Sequence, residues 1–232
     1  MLRRVAVLFV LCLLLASRGS AQASRIAAAL DGERWADALA LIDSALAATP
    51  RVAALHAQRG RTLRELDRLP DAQAAYDNAI AFDSTFGAAW AGRATVRIRL
   101  GQPRAALEDL ARARQLGFVP PQLDLLEGMA LVDATRVVDA VRPLERYTRA
   151  VRGDPAGWYF LGVALGSAGR HADAAVAFTA SIEAGLPGPR AYAGRALARV
   201  NAGDEAGACA DARIAVERGD ARLAPIVTRN CR

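Results

Sequence analysis

The residues able to do covalent or acid–base chemistry are few in this 232-residue chain: 3 cysteines, 2 histidines and 24 acidic side chains. His56 and His171 are far apart in sequence, and neither belongs to an H-E-x-x-H or similar ligand spacing. No Walker loop, G-x-G-x-x-G loop, G-x-S-x-G elbow or calcium loop occurs. The acids are scattered, with no spacing that draws two of them together for acid–base work. Neither a catalytic site, nor a metal, nor a cofactor is therefore expected. The cysteines are Cys12, Cys209 and Cys231. Without a C-x-x-C pair they point away from dithiol redox chemistry and leave a structural disulfide, free thiols or intermolecular pairing as alternatives.

The elements that must carry these residues begin with a leader. Arg3-Arg4, an apolar run from Val5 to Ala16 and the ending Ala21-Gln22-Ala23 read as a secretory signal peptide over residues 1–23, with Gly19-Ser20-Ala21 as a competing cleavage site. The apolar run is shorter than the roughly 20 residues of a membrane span. Phe9-Val10-Leu11 lacks the small residue expected before a lipid-modified Cys12. A periplasmic or secreted location is expected, with membrane contact only through an uncleaved leader. Removing Arg3, Arg4 and Arg18 lowers the formal charge from +6 to +3, leaving 27 arginines against 24 acids. That mixed surface makes nucleic acid an unexpected partner. All 30 basic residues are arginine, a composition in keeping with a GC-rich bacterial genome.

Beyond the leader, one period organises the chain. Steps of 34 residues from position 53 reach 87, 121, 155 and 189 without an insertion. The eighth place of each unit is then small: Gly60, Ala94, Gly128, Gly162 and Ala196. The twentieth reads Ala72, Ala106, Ala140, Ala174 and Ala208, and the twenty-fourth Tyr76, Leu110, Leu144, Phe178 and Ala212. Small residues at these places let two helix backbones approach, while large apolar ones recur at helical spacing on the faces to be covered.

The pattern resembles the tetratricopeptide repeat (TPR), most closely from Pro155 to Gly188, where Trp158, Leu161-Gly162, Gly169, Ala174 and Phe178 stand at the motif's places. The resemblance implies an all-α, right-handed superhelical solenoid of antiparallel helix pairs. Its repeats are expected at about 24–52, 53–86, 87–120, 121–154, 155–188 and 189–222. The first is a truncated cap in which Trp35, Ala38, Ile42 and Ala45 share a face. A short capping helix over 223–232 would bury Leu223, Ile226 and Val227, with Pro225 in its first turn. Repeat four is irregular: Glu127 replaces the usual leucine or arginine, Thr135 replaces the turn glycine, and Pro143 predicts a bend or restart in the second helix.

Arginine holds the seventh place as Arg59, Arg93 and Arg195, and an acid holds the twenty-third as Asp109 and Asp211. Repeat five has Leu161 and Ala177 there, so the two places change together. Structural ion pairs Arg93–Asp109 and Arg195–Asp211 are expected to set helix register, with display of the arginines to an acidic ligand as the alternative. Arg59 faces Ala75 and finds no acid by this rule. His56 and His171 stand at packing places. In an exported repeat protein, Cys209 and Cys231 most simply form a disulfide that pins the C-terminal cap, a feature similar to the terminal repeat of some exported bacterial TPR proteins.

The resemblance further implies that the first helix of each pair lines a concave wall. Carried over, its places give Gln58, Arg61 and Arg64 in repeat two and Thr95 and Arg99 in repeat three. Repeats four and five give Leu125, Leu126, Met129 and Val132, then Tyr159, Phe160 and Val163. A basic first half and an apolar middle suit a peptide with an acid beside apolar anchors. Packing between repeats is the competing role for the apolar set. The lysines and asparagines of a chaperone-type carboxylate clamp are missing, since Ala57, Ala91, Leu125 and Tyr159 fill the fifth place. The expected function is a non-catalytic scaffold or adaptor of the bacterial envelope that holds a protein or peptide partner. The alternatives are a homo-oligomeric assembly protein and an enzyme with an unrecognised site.

Overall fold

A computed structural model describes residues 20–225, 227 and 231 of the chain. The leader up to residue 19 and Ile226 of the expected tail lie outside the described residues. Every regular element among the described residues is helical. The elements are α1 over residues 20–31, then α2 Trp35–Ala48, α3 Ala53–Glu65, α4 Leu69–Phe82, α5 Gly87–Arg99 and α6 Pro103–Gln115. They continue as α7 Gln122–Asp133, α8 Val141–Ala150, α9 Pro155–Ser167, α10 His171–Glu183, α11 Arg190–Asn201 and α12 Glu205–Glu217. Two 3₁₀ turns cover Val137–Ala140 and Ala221–Leu223. Helix α1 runs through Ala23, so the expected cleavage point falls inside a helix.

The repeat is written in the backbone as well as in the side chains. Glu33, Asp67, Gly101, Thr135, Gly169 and Gly203, each 34 residues after the last, all have positive φ between 52° and 84°. Each ends the first helix of a pair. The residue after this turn donates to a carbonyl five residues back, as in Arg34 to Ala29, Arg68 to Leu63, Arg136 to Leu131, Arg170 to Leu165 and Asp204 to Arg199. That bond closes the Schellman motif and satisfies a carbonyl the helix end leaves open.

The connections between pairs are of two kinds. Gly117, Gly185 and Gly219 take positive φ, and the next residue again bonds five back: Phe118 to Ala113, Leu186 to Ser181 and Asp220 to Ala215. Thr49, Asp83 and Val151 instead leave the helix at negative φ with a single bond four residues back. In repeat four, Pro143 sits in the first turn of α8, after a 3₁₀ turn over Val137–Ala140. There its missing N–H removes no helical bond, so the second helix of this pair restarts and shortens.

The chain forms two compact units. The first holds residues up to Leu100 with 111–118, and the second 101–110 with 119–232, so α6 contributes its halves to different units. In the first unit, Leu63, Ala72, Ala75, Tyr76, Ala79, Ala89 and Val96 form one core, and Ile26, Ile42 and Ala45 a smaller one. In the second, the core joins Leu131, Ala140, Leu144, Leu161, Leu165, Ala174, Phe178, Ala191 and Ala198. A ring from the second helix of a pair is seated under glycine in both units. A Cβ on Gly60 would lie 2.8 Å from the Tyr76 ring, and one on Gly162 would lie 2.8 Å from the Phe178 ring. These glycines are required by close approach and not by their backbone angles.

Candidate partner-binding face

The first helices of the pairs carry the residues expected to meet a partner. In the first unit these lie on α3 and α5. Gln58 and Arg64 are half-buried, Arg61 and Arg99 exposed, and Thr95 half-buried with its hydroxyl donating to the Ala91 carbonyl at 3.0 Å. The face is less basic than its residue types suggest. Arg64 donates to Glu65 at 2.5 and 3.2 Å, and Arg99 donates to Asp67 at 2.7 Å and to the Arg64 carbonyl at 3.1 Å. Arg61 makes no ion pair or hydrogen bond among the described residues.

The seventh-place arginines reach backward along the chain. Arg59 donates to Asp43 at 2.7 Å and Arg93 to Asp77 at 2.7 Å, each acid lying 16 residues earlier in the preceding second helix. The partner that sequence spacing failed to find for Arg59 is therefore in the previous repeat. Asp109 is buried in the second unit. Arg195 reaches both ways: Nη1 donates to Thr179 at 2.9 Å, sixteen residues earlier, and Nε and Nη2 donate to Asp211 at 2.8 and 2.6 Å. The Asp211 hydrogen bonds hold the Arg195 guanidinium above its ordinary pKa, against the opposing effect of burial. In repeat four the charges invert, and Glu127 with Asp124 faces Arg146 at 3.7 and 2.7 Å.

In the second unit the expected apolar residues are half-buried and serve packing as well as exposure. Leu125, Val132, Tyr159, Phe160 and Val163 pack against the core, with Tyr159 5.5 Å from Phe160 and 5.9 Å from Phe178 between ring centroids. Leu126 and Met129 are likewise half-buried. A cleft of about 260 Å³ opens between α9 and α11, walled by Val163, Gly166 and Ser167 on one side and by Gly194, Leu197 and Asn201 on the other. Phe178 and His171 also line it. Leu197 is 64% and Val200 56% exposed, both large apolar groups on α11.

Of the remaining candidate residues, His56 and the two cysteines have structural partners, while the Nδ1 atoms of His56 and His171 are buried without a hydrogen bond among the described residues. His56 Nε2 lies 2.8 Å from the Pro50 carbonyl and its ring is 5.1 Å from that of Phe82. Cys209 and Cys231 are bonded through their sulfurs with Cα atoms 5.4 Å apart. Among the described residues no cluster of three potential metal ligands occurs, and no helix is long and apolar enough to cross a membrane.

The same arrangement of helix pairs recurs in solved structures. PilF of Pseudomonas aeruginosa matches at 16% identity over 90% of this chain and 98% of its own, with a TM-score of 0.76. YrrB, described as a TPR protein with an unusual peptide-binding site, matches at 20% identity over 81% and 97%, with a TM-score of 0.70. The chain has the tetratricopeptide-repeat fold. MamA from Desulfovibrio magneticus shares this TPR architecture at 14% identity over 71% and 93%, with a TM-score of 0.64. No protein-family model and no curated protein matches by sequence.

Within the TPR frame, the residues that sequence reasoning missed are Leu197, which walls the cleft, and Val200, exposed on the same helix. Leu197 and Val200 occupy the ninth and twelfth places of repeat six, the places that supplied Met129, Val132 and Val163 in earlier repeats. Carrying the same mapping one TPR further would have found them. Gly166 also holds a twelfth place, and its missing side chain helps to open the cleft.

Proposed function

We propose that the protein is a non-catalytic TPR scaffold that holds a protein or peptide segment on the face formed by the first helices of its pairs. One observation carries this reading: the cleft between α9 and α11, with the exposed apolar side chains of Leu197 and Val200 on α11. Exposed large apolar groups beside a concavity offer the apolar anchor sites that an extended or helical segment uses. Export to the cell envelope belongs to the same proposal. It is supported by the basic-apolar-small order of residues 1–23 and the paired Cys209 and Cys231. Amino-terminal sequencing of the protein from an envelope fraction, beginning after Ala23, tests that part.

The scaffold reading is tested by photocrosslinking in cells that make the full chain, with the reactive residue at position 197 or, as a control, at Val176 on α10. Val176 is 69% exposed and apolar, but stands on a second helix. A specific partner is expected from position 197 and not from 176. Crosslinks from 176 alone overturn the assignment of the face. A crosslink from 197 to a second copy replaces the adaptor by homotypic assembly.

A further inference from the structure

The C-terminal end of the second unit holds a second hollow, distinct from the cleft beside α9. A cavity of about 360 Å³ is lined by Leu197 and Val200 of α11, Ala208 of α12, Leu223 and the Cys209–Cys231 disulfide. Leu197 also lines the cleft between α9 and α11, so the two hollows share a wall. Ligand pockets of roughly 300–1,000 Å³ are lined mainly by apolar groups, with a few polar ones that fix the orientation of the guest. This cavity has that size and that lining. The disulfide ties Cys231 to α12 covalently, and Arg213 donates to the Cys231 carbonyl at 2.6 Å. That wall is therefore in place before any guest arrives.

One charge stands in the lining and selects the guest. Among the described residues that line the cavity, only Glu205 is charged. It is exposed in the first turn of α12, and its side chain makes no ion pair or hydrogen bond among the described residues. Arginines of the same helix pair are committed elsewhere: Arg195 and Arg199 to Asp211 at 2.6 and 2.8 Å, and Arg213 to the Cys231 carbonyl. An acidic guest would meet Glu205 as a like charge, whereas a basic one would supply its missing partner. We propose that the cavity takes an apolar side chain of a partner segment whose adjacent residue is arginine or lysine, with that cation pairing to Glu205. The apolar side chain leaves water for the alanine, leucine, valine and disulfide walls and supplies most of the affinity. The ion pair, formed at an exposed carboxylate, contributes less and sets the preference among guests. The inference rests on the scaffold reading above for its peptide, and on this cavity alone for its site.

The test titrates the ¹⁵N-labelled full chain with acetyl-leucyl-arginine amide, which carries one apolar side chain and one cation, and with the neutral acetyl-leucyl-glutamine amide. Saturable shifts of the Val200, Glu205 and Ala208 backbone amides are expected from both. The arginine peptide is expected to bind about two- to fivefold tighter, as an exposed ion pair implies. Glu205→Gln, a change at an exposed side chain, is expected to bring the arginine peptide level with the glutamine one and to leave the latter unaltered. Val200→Ala removes part of the apolar lining and is expected to weaken both peptides about fourfold, the equivalent of one buried methylene group. Absence of saturable shifts, equal binding of the two peptides by the native chain, or an arginine preference that survives Glu205→Gln overturns the proposal. If any of these is found while crosslinks from position 197 persist, the cavity site falls and the scaffold reading stands. If the peptides bind as expected and position 197 captures nothing in cells, the scaffold reading falls and the site stands.

Discussion

Arg195 grips Asp211 with two parallel hydrogen bonds, Nε to Oδ2 at 2.8 Å and Nη2 to Oδ1 at 2.6 Å, and the Asp211 side chain is only 2% exposed. Arg199 adds a third bond to Oδ2 at 2.8 Å. Removing one member of a buried pair leaves charge uncompensated, whereas replacing both by apolar groups is often neutral. Asp211→Ala is therefore expected to lower stability to urea by about 3 kcal/mol. The double change Arg195→Leu with Asp211→Ala copies Leu161 and Ala177 of repeat five and is expected to recover most of that loss, since Arg199 keeps Asp204 at 3.4 Å. A loss below about 1 kcal/mol in the single variant would make the pair no stronger than a surface one.

Thr135 occupies the turn place at φ 62°, where Gly169 stands at φ 77° one repeat later. The left-handed region is unfavourable for a β-branched side chain and open to glycine. Thr135→Gly is expected to raise stability by about 1 kcal/mol, and Gly169→Ala to lower it by a similar amount. Thermal melts of the two variants should move in opposite directions. An unchanged melt in Thr135→Gly would mean that the Thr135 hydroxyl, which donates to the Ala134 carbonyl at 2.6 Å, offsets its strain.

What the sequence made legible follows from the period. A residue such as Gly60 that must be small under Tyr76, or Gly162 under Phe178, repeats with the helix pair and can be read by counting. Pro143 was legible as a disruption, but the form it takes, a 3₁₀ turn before a shortened α8, depends on how the first turn absorbs the missing N–H. Arg59 misled because within-repeat spacing points to Ala75, while its long side chain reaches back to Asp43. The half-buried state of Tyr159 and Phe160 needed three dimensions, since the same residues serve core and surface. Gly166 was silent: a glycine inside a helical pattern shows nothing about whether its missing side chain makes room for a neighbour or for a ligand.

The bond between Cys209 and Cys231 closes a loop across 22 positions of sequence. A loop of this length limits the unfolded chain by roughly 3 kcal/mol in the entropic account. Cys231→Ser is expected to lower the melting temperature and to speed hydrogen exchange in α12, because it also weakens the tether by which Arg213 donates to the Cys231 carbonyl at 2.6 Å. Intact mass under non-reducing conditions should be two hydrogens below the reduced value. Equal masses before and after reduction would show free thiols instead.

Gly166 joins stability to function in opposite senses. It lies within α9, and a Cβ built there meets only the Ala174 methyl at 3.8 Å, an ordinary contact. Glycine in a helix interior is less stable than alanine by roughly 0.5–1 kcal/mol, so Gly166→Ala should raise the melting temperature. Gly162→Ala, four residues earlier, would press a Cβ to 2.8 Å from the Phe178 ring and should cost about 1–3 kcal/mol by overpacking. The two alanines thus separate a glycine that packing demands from one that it does not. If the cleft walled by Val163 and Leu197 receives a partner's side chain, Gly166→Leu fills it and should abolish crosslinking from position 197 while the protein stays folded. Unchanged crosslinking in that folded variant would show that the partner seats elsewhere on the face, and the cleft would then be a gap left by packing alone.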